Sequence, residues 1–416
     1  MMRVLQITAW DSRGEQFNGC QIHRALKDTG HESHMAVMHA ELEDETVHRL
    51  GNRVTSRLDP YLVSLERKLS LYACLPLSAA TLYSAPYYRS ADIVHLQLIH
   101  AQSFFSLWNL PIIGRQKRLV WTLHDPWMMS GHCVHSLDCE RWKTGCGSCP
   151  DLALSFPVKR DTTAWTWKMK RRVMKRTPVT LVVHSEWMHE RARQSPILRH
   201  LPCHVIPIGL DADRFRPLDK SECKASFGVP QDASVLALRY RGKEEPFKGW
   251  SWLEEALLSP GIPATHLITF DEKGIPAAVR DRYRVVELGW VEDQDTVCKA
   301  MNAADVFVMP SVAEAFGMMA VESMACGTPV IAFEGTALPG VIHAGEAGVA
   351  VPNRNAGALA EAIRALLQDS SLRDRLARAG RQLVEREYTS QLYIQRHLAL
   401  YGELMNLEPG TTCERN

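Results

Sequence analysis

No stretch of this 416-residue chain stays apolar for the roughly 20 residues that a membrane-spanning helix needs. The opening MMRVLQITAW is too short an apolar run for a secretory signal and reads as a first buried strand. A cytoplasmic protein is therefore expected. Tandem repeats and low-complexity segments are also missing, which argues against a solenoid or long disorder. Net charge is nearly absent, with 48 Lys and Arg against 47 Asp and Glu. The balance conceals an asymmetry, however. Residues 1–200 hold 26 basic and 18 acidic residues, and the remainder 22 and 29. A basic first half suits an anionic partner, with chance surface composition an equal alternative. No nucleic-acid-binding module accompanies it. The 11 cysteines form no secreted disulfide framework.

At this length two domains of about 200 residues each are expected. Short apolar runs at 4–8, 34–38, 93–96, 119–123 and 180–183 alternate with amphipathic stretches such as residues 21–28, which Thr29-Gly30 stops. The pattern restarts at 235–238, 266–270, 284–288, 306–309 and 329–333. Strands alternating with helices imply parallel βαβ units, hence α/β architecture with two doubly wound sheets. The segment HVIPIGLDADRFRPL, around 205–220, has prolines and no helical period and reads as an exposed connector. Domains over 1–206 and 207–388 follow, with 389–416 a C-terminal helix crossing back to the first. Open α/β sheets place chemistry in the loops after their strands.

The most informative stretch is ADVFVMPSVAEAFGMMAVESMACGTPVIAF, residues 304–333. A strand ends at Pro310-Ser311, and a helix begins near Gly317, where backbone N–H groups and the helix dipole favour an anion. Glu314 precedes that helix and Glu322 lies within it, so the two carboxylates can accept hydroxyls on either side of a phosphate. A capping glutamate plus a surface glutamate is the plain alternative. In the context PSxxEAFGxxxxExMACGTPVIA, the pair resembles the signature of family 4 retaining glycosyltransferases of the GT-B fold, two Rossmann-like domains facing across a cleft. A Cys-rich insert that includes WKTGCGSCP further resembles one in bacterial exopolysaccharide or colanic-acid-type glycosyltransferases.

The resemblance implies that Glu314 faces a donor hexose and Glu322 holds a nucleoside ribose. The backbone amides of Phe316, Gly317 and Met318 would meet the distal phosphate. It implies a basic pair after the second domain's first strand, within LALRYRGKEEPFKGW. Lys248 is the second member, and Arg239, Arg241 and Lys243 compete for the first. Fixed cations would neutralise the departing diphosphate, so that no Asp-x-Asp metal motif is needed. Trp290 and Val291 fall by position beside the nucleobase. In the first domain His124, in HDPW, would point toward the reacting anomeric centre, with Asp125 a lesser alternative. Gly14 is the best match to a glycine-rich loop near the start, although Glu15 beside it is ill suited to a diphosphate. Pro207-Ile208-Gly209 departs from the family's usual Pro-Asn-Gly.

Cys133, Cys139, Cys146 and Cys149 lie in a Cys-rich insert, 131–150, and end in a C-x2-C knuckle. Structural zinc, paired disulfides and unligated thiols all remain open. The seven other cysteines read as small core residues. The segment WTWKMKRRVMKR, residues 165–176, has six cations and no acid. On a helix Trp165, Lys168, Arg172 and Lys175 or Arg176 share one face. An anionic membrane surface at the inner leaflet is one expectation; a helix packed on the domain, with its cations solvated and its tryptophans in the core, is the other.

Together these features imply retaining transfer of a hexose from a UDP- or GDP-sugar to a glycan or lipid-linked acceptor, with no cofactor for catalysis and no nucleic-acid partner. A phosphorylase, a sugar-nucleotide epimerase and an inactive glycan-binding scaffold are the alternatives.

Overall fold

Strands in both halves are apolar on both faces, the pattern of parallel sheets covered by helices. The computed structural model describes all residues except 12–16, 101–102, 243–244, 246, 264 and 412–416. It divides into two compact units, Met1–Ile206 with Tyr393–Asn416, and Pro207–Leu392.

The first unit contains β1 (Arg3–Trp10), β2 (Glu32–His39), β3 (Val47–Arg49), β4 (Ile93–Leu96), β5 (Arg118–Leu123), β6 (Thr180–Val183) and β7 (Cys203–Val205). They form one parallel sheet in the order β3-β2-β1-β4-β5-β6-β7. The winding direction reverses between β1 and β4, where Val4 pairs with Ile93 and Ile7 with Leu96. Helix α1 (Cys20–Asp28) follows β1, and α2 (Thr55–Leu69) follows β3. A C-terminal helix, Ser390–Met405, supplies Tyr393, Leu400, Tyr401 and Leu404 to a core shared with Val4, Ile93, Val120 and Val182. Each such buried side chain is worth about 1.5–3 kcal/mol.

The second unit contains β8 (Val235–Tyr240), β9 (His266–Asp271), β10 (Arg284–Gly289), β11 (Val306–Met309), β12 (Val330–Phe333) and β13 (Val349–Val351). Their order, β10-β9-β8-β11-β12-β13, reverses between β8 and β11. Ligands in such sheets bind beyond the carboxyl ends of the strands at the reversal.

The segment around 205–220, where the two units divide, is exposed only in its second part, which includes Asp211, Asp213, Arg214, Arg216 and Pro217. Ile206, Ile208, Leu210 and Phe215 are all buried. Leu210 exchanges backbone hydrogen bonds with Tyr388 and Ser390. Arg381 Nη1 donates to the carbonyls of Ala212, Phe215 and Ala325. Alternating apolar residues thus pack inward although the stretch lacks a period. No helix among the described residues is long and apolar enough to cross a membrane.

Candidate active site

In the second unit the loops after β8 and β11 are pressed together. Gly249 has φ +71°, and a Cβ there would stand 1.9 Å from the Pro310 carbonyl oxygen, so only glycine fits. The Val312 N–H donates to the Phe247 carbonyl at 2.9 Å and closes the same junction. These contacts carry Lys248 to Glu314, with Nζ 2.8 Å from Oε2 and both side chains mostly buried. Gly317, at φ +103°, precedes the helix Met318–Ala325, and a Cβ on it would strike Leu338 at 2.4 Å. The first-turn N–H groups of this helix lie immediately beyond the Lys248–Glu314 pair. At its other end the Arg381 guanidinium donates to the Ala325 carbonyl at 3.1 Å. A cation there complements the negative end of the helix dipole.

Glu322 lies in the same helix, and burial pushes its pKa up to about 7 against the opposing charge of Arg239. Arg239, at the end of β8, pairs through Nε with Asp271 Oδ2 at 2.6 Å. Asp271 ends β9 in a left-handed conformation, φ +78°. No motif surrounds this carboxylate, and its place at a strand's carboxyl end is the signal that the sequence offers for it. Arg241 is half-buried, and Lys243 lies outside the described residues. Phe316 and Met318 bury their side chains. The Phe316 ring packs edge-on to Tyr388 at 5.7 Å. Trp290 is 69% exposed and Val291 half-buried.

In the first unit His124 ends β5, and its neighbours at the strand ends are Gln97 after β4 and His184 after β6. The His184 Nδ1 is 2.8 Å from the Ile206 carbonyl, which can only accept, so His184 carries its proton there. Burial pushes the His184 pKa down to about 4, although the Ile206 bond raises it. The ring is therefore neutral at pH 7, and its Nε2 accepts from His124 Nδ1 at 3.0 Å. Burial first, and then His184, hold the His124 pKa well below its ordinary value. The neutral tautomer so fixed places a lone pair on His124 Nε2; Gln97 Oε1 lies 3.0 Å from it, and the amide must turn over for its NH2 to donate there.

From Gln97 a buried polar chain runs through the unit. The Gln97 amide lies 3.1 Å from the Gln6 amide. Gln6 lies 3.2 Å from the Tyr401 hydroxyl. That hydroxyl is 2.6 Å from His95 Nδ1, and His95 Nε2 is 2.7 Å from Thr122 Oγ1. Amides turn over, hydroxyls rotate and imidazoles change tautomer, so every link can reverse its donor and acceptor. The chain can thereby serve a neutral or a protonated His124.

Asp125 is tied down instead. Its Oδ1 accepts from Trp127 N at 2.9 Å and its Oδ2 lies 3.0 Å from His100 Nε2. Burial raises its pKa, but His100 and these hydrogen bonds outweigh it and leave the value at about 2. Lys170 holds the turn that follows. Its Nζ donates to the carbonyls of Trp127 and Ser130 at 2.7 and 3.0 Å, and stands 3.6 Å from the Trp127 ring centroid.

Residues 20–214 match the family described as Glycosyltransferase Family 4, and residues 282–383 the family described as Glycosyl transferases group 1. A D-inositol 3-phosphate glycosyltransferase of Saccharomonospora viridis is 31% identical over 230 residues, 50% of this chain and 52% of that protein. The chain thus spans about half the length of the curated relatives it matches. The putative colanic acid biosynthesis glycosyl transferase WcaC of Escherichia coli K12 is 28% identical over 286 residues, covering 65% of this chain and 67% of that one. Among solved structures, Anabaena Alr3699/HepE in complex with UDP and glucose superposes with a TM-score of 0.67 at 15% identity, over 97% of this chain and all of its own. The fold is GT-B.

The second half of this GT-B fold brings Lys248, Glu314, Gly317 and the start of its helix together, with Arg239 and Glu322 near each other. Gly14 lies outside the described residues. Among the described residues no three His, Cys, Asp or Glu side chains gather as metal ligands. Two thiols of the insert have neighbours at hydrogen-bonding distance. Cys146 Sγ accepts from Gly131 N at 3.2 Å, and Cys149 Sγ lies 3.3 Å from both His132 Nε2 and the Asp151 carbonyl. Residues 165–176 pack Trp167 into the core and leave Lys168 and Arg172 exposed, but Trp165 is 49% exposed and Lys170 departs from the solvated-cation expectation. Trp167 and Lys170 are buried, because the loop carbonyls need a donor and Trp167 Nε1 donates to the Trp142 carbonyl.

Proposed function

We propose that this GT-B protein is a glycosyltransferase that moves a hexose from a UDP- or GDP-sugar to a glycan or lipid-linked acceptor. It retains the anomeric configuration, needs no catalytic metal and serves bacterial surface-polysaccharide assembly. The observation that carries this is the Lys248–Glu314 pair seated at the Gly317 helix start. The two family matches and the UDP and glucose bound by the HepE structure support it. The name of the WcaC relative supports the polysaccharide setting.

In this mechanism the diphosphate lies at the helix start, where first-turn N–H groups and Lys248 take up its charge. Glu314 accepts from hexose hydroxyls and orients Lys248. Glu322 accepts from the ribose, and Arg239, steadied by Asp271, adds positive potential. His124, its tautomer set by His184 and Ile206 and its Nε2 occupied by Gln97, is the first unit's candidate catalytic group. The bond from the anomeric carbon to the diphosphate breaks, and its electron pair goes to the leaving phosphate. The acceptor oxygen attacks the same face, and its proton passes to that phosphate. Cationic partners that strengthen as the negative charge develops lower the barrier more than they tighten the ground state.

Thermal-shift titration with UDP and GDP, followed by transfer from their sugars and NMR of the product anomer, tests the proposal. Stabilisation by one nucleotide and a product of the donor's own configuration are expected. No stabilisation by either, or an inverted product, would refute it.

A further inference from the structure

Cys298 and Cys326 lie in different elements of the second unit, and their Sγ atoms stand 3.7 Å apart. Cys298 belongs to the helix Gln294–Ala303. Cys326 closes the helix Met318–Ala325, the one that starts at Gly317 and carries Glu322. Both cysteines are buried, at 3% and 4% exposure. Their facing arrangement is held by groups outside the pair. Thr328 Oγ1, two residues past Cys326, donates to the Met301 carbonyl at 2.7 Å and ties the two helix ends together. Asn302 Nδ2 donates to the carbonyls of Cys298 and Arg216 at 2.9 and 3.0 Å. Arg381 holds the Ala325 carbonyl next to Cys326. The backbone is thus fixed on both sides of the contact, and rotation about each Cα–Cβ bond moves the sulfurs relative to each other.

Each thiol also has a carbonyl for its proton. Cys298 Sγ donates to the Arg214 carbonyl at 3.4 Å, and Cys326 Sγ lies 3.8 Å from the Cys298 carbonyl. A disulfide needs its sulfurs about 2.05 Å apart, so the approach required is about 1.7 Å, shared between two side chains. Two cysteines acting only as small core residues would need no contact between their sulfurs. The way in from solvent is short. The carbonyls over the Cys298 sulfur are those of Arg214 and Arg216, and both of these residues are exposed.

We propose that Cys298 and Cys326 form a reversible disulfide site, oxidised by a small disulfide such as glutathione disulfide. One protein thiolate attacks a sulfur of that reagent, leaves a mixed disulfide on the chain and releases one glutathione. The second protein thiol, deprotonated in its turn, attacks the protein sulfur of the mixed disulfide and releases the second glutathione. The two protein thiols lose two protons and two electrons, and glutathione disulfide takes up both. The bond formed pins the end of the Glu322 helix to its neighbour and takes the Cys298 S–H away from the Arg214 carbonyl. The site does not depend on the transferase assignment, because it is read without turnover.

The test is incubation of the folded full chain in buffers of reduced and oxidised glutathione until its composition stops changing, then acid quenching, alkylation in denaturant and peptide mass mapping. In oxidised buffer the peptides holding Cys298 and Cys326 should appear joined, two hydrogens lighter than their thiol forms. This link should exceed any other pairing of either sulfur by about tenfold or more, since the fold supplies the high effective concentration. Dithiothreitol should return both to alkylatable thiols. A chain oxidised in urea should lose the preference. Cys223→Ser, at a buried cysteine of the adjoining helix Lys220–Ser226, should form the link as wild type does, and Cys298→Ser should leave Cys326 without it. The wild-type map alone decides the question if a variant fails to fold. Both thiols free in oxidised buffer, or each carrying its own glutathione, would overturn the proposal. So would equal joining in the folded and the urea-unfolded chain.

Discussion

Replacing Tyr401 with phenylalanine removes one hydroxyl and leaves the ring, the volume and the surrounding core in place. That hydroxyl is the link between the Gln6 amide at 3.2 Å and His95 Nδ1 at 2.6 Å, and both partners are fully buried. Water cannot readily replace it, so one or both partners lose their bond. An orphaned buried group costs about 1–3 kcal/mol, and two partly compensated ones should destabilise the first unit by about 2 kcal/mol or more. A two-unit chain does not melt in a single step, so the assay is native-state hydrogen exchange at the β1 and β4 amides. Tyr61→Phe, at a 77% exposed site, is the control and should stay within about 0.5 kcal/mol. A second readout follows the His124 imidazole by NMR, since the chain from Tyr401 through Gln6 and Gln97 ends on its Nε2. Its signals should move in Tyr401→Phe and hold still in the control. Unchanged exchange together with unchanged His124 signals would refute a continuous chain.

Lys248→Ala and Glu314→Ala should each reduce turnover by about a hundredfold, the usual cost of one lost electrostatic partner, while the circular dichroism spectrum is preserved. Wild-type turnover in either would displace the proposed site. Lys170→Met should destabilise the first unit by about 1–3 kcal/mol in urea unfolding, because the Ser130 carbonyl loses this donor and the Trp127 carbonyl keeps only Ser130, and full stability would contradict the contact. Acid should weaken the first unit early. Burial lowers the pKa of His23 and His184 to about 4 and of His397 to about 3, all below the unfolded value near 6.5. The unfolded state therefore binds more protons as pH falls through 6.5, and each histidine should cost about 2 kcal/mol by pH 5. A flat urea midpoint from pH 7 to 5 would exclude neutral buried rings.

The strands that the sequence made legible are those whose apolar runs are buried on both faces, such as β4 and β11. Those it hid, β3, β7 and β13, are three-residue edge strands, too short to carry a period. Lys248 and Glu314 were legible through their motif, and the structure adds why they meet, namely the contact of Gly249 with Pro310. His184 was not, since its partnership with His124 joins residues 60 positions apart on neighbouring strands. Lys170 misled because a run of cations reads as a solvated face, whereas the carbonyls of a turn 40 and 43 positions upstream draw this one inside. In α2 the row of leucines would pass for a core face by periodicity alone. Only the backbone donors after the helix, which claim Asp59 and Glu66, turn it outward.

The first unit is built from two stretches of chain separated by the whole of the second. Gln6 on its central strand waits for Tyr401, 395 positions later. During synthesis, residues 207–392 can complete their own sheet while the earlier sheet still lacks the helical cover of Tyr393, Leu400, Tyr401 and Leu404. Contacts this distant in sequence close slowly, and exposed apolar surface aggregates in the interval. The nascent first unit thus emerges early yet matures late, which makes it the natural client of a chaperone. Circular permutation that joins residues 393–411 directly ahead of β1 should speed its folding.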